Sequence, residues 1–208
     1  MTEQEREREE LFIDMGFVRH HEEPMPTPAN PLKGQGRNTA SGVWEPDPQE
    51  SPVLNLKWHN DVRGSLVELY RQSWIGYNKT QGAPNETVRQ VYISTTRPGV
   101  VKGWHVHAKQ TDRFICVRGS VLLCTWWLDD RPGLITVQER ILSADRDMVS
   151  VHVPPGMVHG WKALGNEEAW VLNLCSREYD GMDEFRKSPH APLVEGDNPY
   201  NWNRRVDG

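Results

Sequence analysis

Seven short segments limit what this chain can fold into. They are "VLNLKW" (53–58), "SLVELYR" (65–71), "VRQVYIST" (88–95), "DRFICVRGSVLLCTWWL" (112–128), "LITVQERIL" (134–142), "MVSVHVP" (148–154) and "EAWVLNLC" (168–175). Each is rich in β-branched and aromatic residues, which fit a pleated, half-buried surface. The turn formers "DVRG", "RPGVVKG", "DDRPG", "PPG" and "LGNEE" separate them. Strands at this spacing predict an all-β sandwich, barrel or jelly roll. Helix is expected only near the termini, over residues 2 to 16 with Gly16 as the stop, and as one further turn in "YDGMDEFR" (179–186). The Glu/Arg run of the N-terminal helix reads as a solvated face.

Residues 22 to 52 carry Pro24, Pro26, Pro28, Pro31, Pro46, Pro48 and Pro52. Proline at that density blocks both helix and central strand. The organisation expected is therefore a helix and proline-rich arm over 1–52, packed on a partner subunit, then a barrel domain with a C-terminal tail over 53–208. No apolar run approaches the roughly 20 residues of a membrane span, and "MTEQEREREE" holds no apolar leader, so the expected location is the cytoplasm, with no membrane partner. A formal net charge of −5 argues against nucleic acid as a partner. The three cysteines, Cys116, Cys124 and Cys175, lie in apolar stretches without a CxxC, which predicts buried free thiols.

The chemistry concentrates in "GVVKGWHVHAKQTD" (99–112) and "PPGMVHGW" (154–161). Alternation along a strand points His105 and His107 to the same side. Asp112 follows on the next strand, and His159 follows a Pro-x-Gly turn. Three imidazoles and a carboxylate suit one divalent metal, such as zinc, iron, manganese or nickel, with positions left open for substrate. The candidate metal set is therefore His105, His107, Asp112 and His159. His20, His21, His59, His152 and His190 read as structural.

The spacing from Gly99 through His105, His107 and Asp112 to Gly119 resembles the first motif of the cupin superfamily, with Asp for Glu. Pro154, Gly156 and His159 resemble the second, which is missed at Met148 and Ala163. The resemblance implies a double-stranded β-helix, the jelly-roll barrel of cupins. A larger part of the chain, from about 53 to 202, is similar to the dTDP-4-dehydrorhamnose 3,5-epimerases and related dTDP-sugar isomerases. "NDVRGSLVELYR", "RQVYISTTRPGVVKGWHVH", "CVRGSVLLCTWWLDDR", "VPPGMVHGWKAL" and "GDNPYNW" follow that family's order and spacing.

That resemblance implies a homodimer acting on a nucleotide-diphospho-4-keto sugar, in a pocket that needs no metal. Such an enzyme removes a proton next to a ketone and returns it to the other face. His105 corresponds to the family's base. Lys102 replaces an arginine that contacts diphosphate, and Arg63 is a second phosphate contact. Gln90, Trp161 and Asn173 fall at substrate-binding positions. The family's catalytic lysine corresponds to Asp112, its catalytic tyrosine to Asn173, and the glutamine after the base to His107. If a metal takes His105 as a ligand, the proton must go elsewhere, and Tyr92, at a family asparagine, and Tyr70 are the candidates. "HVHAK" is also similar to the H-A-H-K of 3,4-ketoisomerases, in which two histidines serve as acid and base.

Two functions therefore stand side by side. One is a sugar-nucleotide epimerase or isomerase with atypical residues His105, His107 and Tyr92. The other is a metal-dependent cupin enzyme of another class, an oxygenase, lyase or cyclase. A cupin that binds without catalysis is the third reading.

Overall fold

The structure is a computed structural model that describes residues 1–20, 53–56, 58–61, 64–70, 87–127, 135–145, 148–194 and 198–203. The proline-rich arm and Arg63 lie outside the described residues.

Among the described residues thirteen strands follow one helix: α1 (Glu3–Asp14), β1 (Val18–Arg19), β2 (Val53–Asn55), β3 (Trp58–Asp61), β4 (Gly64–Val67), β5 (Gln90–Thr96), β6 (Val101–His107), β7 (Asp112–Arg118), β8 (Ser120–Trp127), β9 (Gln138–Ser143), β10 (Val149–Val153), β11 (Met157–Leu164), β12 (Ala169–Cys175) and β13 (Glu184–Arg186). They form a six-stranded sheet in the order β1-β13-β6-β11-β8-β9, a five-stranded sheet in the order β2-β10-β7-β12-β5, and the hairpin β3-β4. Every strand pair is antiparallel. This is the cupin-like all-β sandwich that the sequence predicts. Among the described residues no helix is long and apolar enough to cross a membrane.

The apolar runs Phe114–Val117 and Val121–Cys124, on either side of the corner at Arg118–Ser120, reflect burial on both faces. On β8, Val121 and Leu123 join Phe114, Val151, Met157 and Val171 in the core between the two sheets. The alternate residues Leu122, Cys124 and Trp126 pack outward with Phe12 of α1, Trp104, Phe185 and Trp202. A third cluster of Leu56, Val88, Ile115, Met148 and Leu174 covers the outer face of the five-stranded sheet. Gly119 (φ +64) makes the corner between β7 and β8, which lie in different sheets. All three cysteines are buried free thiols.

Three local expectations need correction. "YDGMDEFR" forms no helical turn. Its last residues are β13, which pairs with β6, because Phe185 fills the outer core beside Phe12. "VLNLKW" is divided between two sheets, with β2 beside β10 and β3 in the hairpin. The N-terminal charge run is only partly solvated: Glu9 is buried and pairs with Arg19, and with Lys109 at 3.2 Å. Arg8 donates to the carbonyl of Ala108 at 3.1 Å, so α1 is tied to the loop after β6.

β6 and β11 approach unusually closely where two glycines meet. A Cβ on Gly103 (φ +151) would lie 2.8 Å from Gly160 Cα. The pairing register shifts at this point, because His105 opposes His159 whereas Lys102 opposes Trp161. Gly103 is the extra residue of a bulge. Val101 and Trp104 pack on the outer core while Lys102 and His105 face the barrel interior. Gly103→Ala is expected to destabilise the fold by about 1–3 kcal/mol, read from urea unfolding. An unchanged midpoint would contradict this account of the bulge.

Candidate active site

The barrel opens into a cavity of about 530 Å³. β5 contributes Gln90, Tyr92 and Ser94, and β6 contributes Lys102, His105 and His107. His159 and Trp161 come from β11, with Phe114 beneath them. Of the residues singled out from sequence, Asp112 and Asn173 do not line the cavity but stand directly behind it. Tyr70 packs on the outer face of the five-stranded sheet. Trp161 is buried, donates to Thr96 Oγ1 at 2.9 Å and stacks edge-on against Phe114. Tyr179, Glu184 and Arg186 also line the cavity, although the sequence reading did not select them. The weak signal for the last two was the alternation in "DEFR", which puts both opposite Phe185.

Asp112 is almost wholly buried, at 1% exposure. Its Oδ1 accepts from Gln110 Nε2 and Asn173 Nδ2, each at 2.8 Å. Its Oδ2 lies 3.4 Å from His107 Nε2 and 3.7 Å from His159 Nε2. These ligand atoms of His107, Asp112 and His159 lie within 4.8 Å of one another, and His105 is outside that group. Asn173 Nδ2 also donates to the Tyr92 hydroxyl at 2.9 Å, and Asn173 Oδ1 accepts from the Arg113 amide at 3.0 Å.

Asp183 organises the neighbouring turn. Its carboxylate accepts from the amides of Ala108 (3.1 Å), Lys109 (3.0 Å) and Gln110 (2.9 Å). Its main-chain carbonyl lies 2.9 Å from His107 Nδ1. One residue thus fixes the loop that carries Gln110 and the orientation of the His107 ring.

The four ionisable groups are tuned apart. Burial lowers His105 well below its ordinary value, and His159, Arg186 and His107 add to the effect. His105 is therefore neutral. No hydrogen bond to another described residue holds its ring. Burial likewise pulls His159 down to about 4. Burial also opposes charge on His107, but Asp112, Asp183 and Glu184 outweigh it and raise this histidine. For Asp112, burial is outweighed by His107, His159 and the two amide donors, so it stays ionised. Burial raises Tyr92 well above the usual phenol value. The residue as a whole is still 40% exposed, while its hydroxyl is held by Asn173.

A cupin-type barrel with three histidines and a buried carboxylate around one cavity defines a small-molecule site suited to proton transfer. The chain belongs to the dTDP-4-dehydrorhamnose 3,5-epimerase family, whose profile matches residues 49–195. It is 30% identical over 166 residues to the probable low-salt glycan biosynthesis epimerase Agl13 of Haloferax volcanii, covering 78% of this chain and 99% of that one. It is 30% identical over 138 residues to the TDP-4-oxo-6-deoxy-alpha-D-glucose-3,4-oxoisomerase of Aneurinibacillus thermoaerophilus, covering 66% and 87%. Among solved structures, the rmlC epimerase of Mycobacterium tuberculosis superposes with a TM-score of 0.58 at 28% identity, covering 75% and 81%.

Replacing Asp183 tests the support of the site. Asp183→Ala leaves three amides without their charged acceptor. It is expected to cost at least about 2 kcal/mol, measured by chemical denaturation. A loss of only a few tenths would show that the loop holds itself.

Proposed function

We propose that this chain is an epimerase or isomerase of a dTDP-type nucleotide-diphospho-4-keto sugar, with His105 as the base. The observation that carries the reading is His105 itself, a neutral imidazole facing the cavity and opposite His159. Family membership supplies the substrate class. In the first step a hydrogen on the carbon beside the ketone passes as a proton to the imidazole. This leaves an imidazolium and an enolate. An acid then returns a proton to carbon, and solvent restores both groups. Inversion of the carbon and transfer of the ketone along the sugar both begin this way.

Tyr92 is the acid in this reading. The resemblance places a tyrosine at position 173 and an asparagine at 92, and here the two residue types are exchanged. They are direct cross-strand partners, Asn173 on β12 opposite Tyr92 on β5, and they share a hydrogen bond. The exchange keeps a phenol at the cavity but brings it from the adjacent strand. Lys102 and Arg186 supply positive charge for the diphosphate. Lys102 is held by Ser94 Oγ at 2.8 Å, and Arg186 by Glu184 at 2.9 Å.

The chain is also proposed to act as a homodimer. β5 ends the five-stranded sheet, and Val91 (46%), Tyr92 (40%) and Ile93 (49%) are exposed in a row along it. A long apolar edge strand invites pairing with a second copy, which would also cover the cavity mouth. Light scattering is expected to give twice the chain mass for the wild type and the monomer mass for Ile93→Lys. A monomeric wild type would reject the dimer.

The test of the reaction is deuterium uptake from heavy water. With TDP-4-keto-6-deoxyglucose, deuterium is expected at a carbon next to the ketone, read by NMR. His105→Gln is expected to slow uptake by about 10²–10⁴-fold. Tyr92→Phe should lower product formation more than uptake. No uptake across several 4-keto sugar nucleotides would overturn the proposal. A metal-dependent enzyme of another reaction class is the second reading, supported by the convergence of His107, His159 and Asp112 on one point.

A further inference from the structure

We infer that His107, Asp112 and His159 form a divalent-cation site that excludes His105, so that the cation and the base are separate parts of one pocket. The role given to the cation rests on the epimerase or isomerase reading, but the binding site does not.

His107 Nδ1 faces the Asp183 carbonyl and His159 Nδ1 faces the Met157 carbonyl, at 2.9 and 3.3 Å. A carbonyl only accepts, so both Nδ1 atoms carry hydrogen, and a neutral ring then has a bare Nε2. Both Nε2 atoms point at Asp112 Oδ2. The other oxygen, Oδ1, is already taken by two amide donors. With both rings in the neutral form that a ligand requires, three lone pairs converge, backed by fixed outer partners, which is how supporting residues prepare metal ligands.

The distances favour an ion over a shared proton. The 3.4 and 3.7 Å separations exceed the roughly 2.7–3.2 Å of a hydrogen bond. They resemble the roughly 3.4 Å between two donor atoms that each lie about 2.1 Å from a tetrahedral ion. A proton on either ring could answer one of the two contacts, whereas an ion answers both. A buried carboxylate also needs a compensating positive charge, and the resemblance puts a lysine where this chain has Asp112. Two imidazoles and one carboxylate suit zinc, iron, cobalt or manganese. When bound, such a cation supplies the positive charge that an enolate oxygen requires.

His105 has none of these features. Its ring nitrogens lie outside the group formed by the donor atoms of His107, Asp112 and His159, and no hydrogen bond from a described residue fixes either of them. The four-ligand set expected from sequence thus reduces to three residues, and the base no longer has to serve as a ligand.

The test uses the full-length protein, stripped with chelator and titrated with Co²⁺ while visible absorption is recorded. One Co²⁺ per chain is expected, displaced by Zn²⁺. Loss of a supporting residue alone weakens metal sites by about 10–100-fold. His107→Gln and Asp112→Asn are therefore expected to weaken Co²⁺ binding by at least about 100-fold, and His105→Gln by less than about 3-fold. Circular dichroism checks that each variant is folded. If one is not, pulsed EPR on the wild-type Cu²⁺ form counts coordinated imidazoles, with two expected. No saturable Co²⁺, three imidazoles, or equal losses from His105→Gln and His107→Gln would each overturn the inference. Co²⁺ binding as expected without deuterium uptake by any 4-keto sugar would leave the site standing and remove the epimerase reading.

Discussion

A carboxylate with almost no contact with water organises this pocket. Asp112 sits at the start of β7, and ionising it there is costly unless every lone pair is answered. Four parts of the chain surround it: Gln110 from the preceding turn and Asn173 from β12 donate to Oδ1, while His107 from β6 and His159 from β11 face Oδ2. The turn that presents Gln110 closes on Asp183, whose carbonyl also orients His107. The same turn is held from outside by Arg8 and Glu9 of α1. The N-terminal helix therefore belongs to the support of the site. α1 touches the turn through a side-chain hydrogen bond from Arg8 and the ion pair of Glu9 with Lys109.

The departures from the family pattern come in touching pairs. The resemblance implies a tyrosine at position 173, and in this chain the tyrosine stands instead at its strand partner, position 92. Position 112 loses a lysine while position 107, across a 3.4 Å contact, gains a histidine. Changes at neighbouring sites that share partners are not independent. Either change alone would have left the site short of an acid, or left a buried anion without compensation. In the proposed reaction, together they would keep a base, a phenol and an anchor for positive charge in one pocket.

Much of this was legible in the sequence because it is local. Strand segments announce themselves by composition and punctuation, so the all-β barrel and most strand positions followed from short windows. The His-x-His pair needed only the period of two. The bulge at Gly103 was not readable in that way, since simple alternation sends Lys102 away from His105. Only the resemblance placed Lys102 at the site. Its structural reason is the close approach of Gly103 to Gly160, more than fifty residues away. Glu184 and Arg186 escaped notice for a similar reason. Their strand has three residues, and its partner β6 lies far back in the chain. The separation of His105 from the cluster of His107, Asp112 and His159 was likewise hidden. Spacing places four donors near one cavity, but only the carbonyls behind His107 and His159 decide which lone pairs converge.

The central claim is this division of the pocket into a charge-holding cluster and a separate base. Anomalous diffraction from crystals grown with Co²⁺ tests it most directly. The account requires one peak per chain within bonding distance of His107 Nε2, His159 Nε2 and Asp112 Oδ2, with the His105 ring uncoordinated and turned toward the cavity. A peak bonded to His105, or no peak between Asp112 and the two histidines, would contradict it.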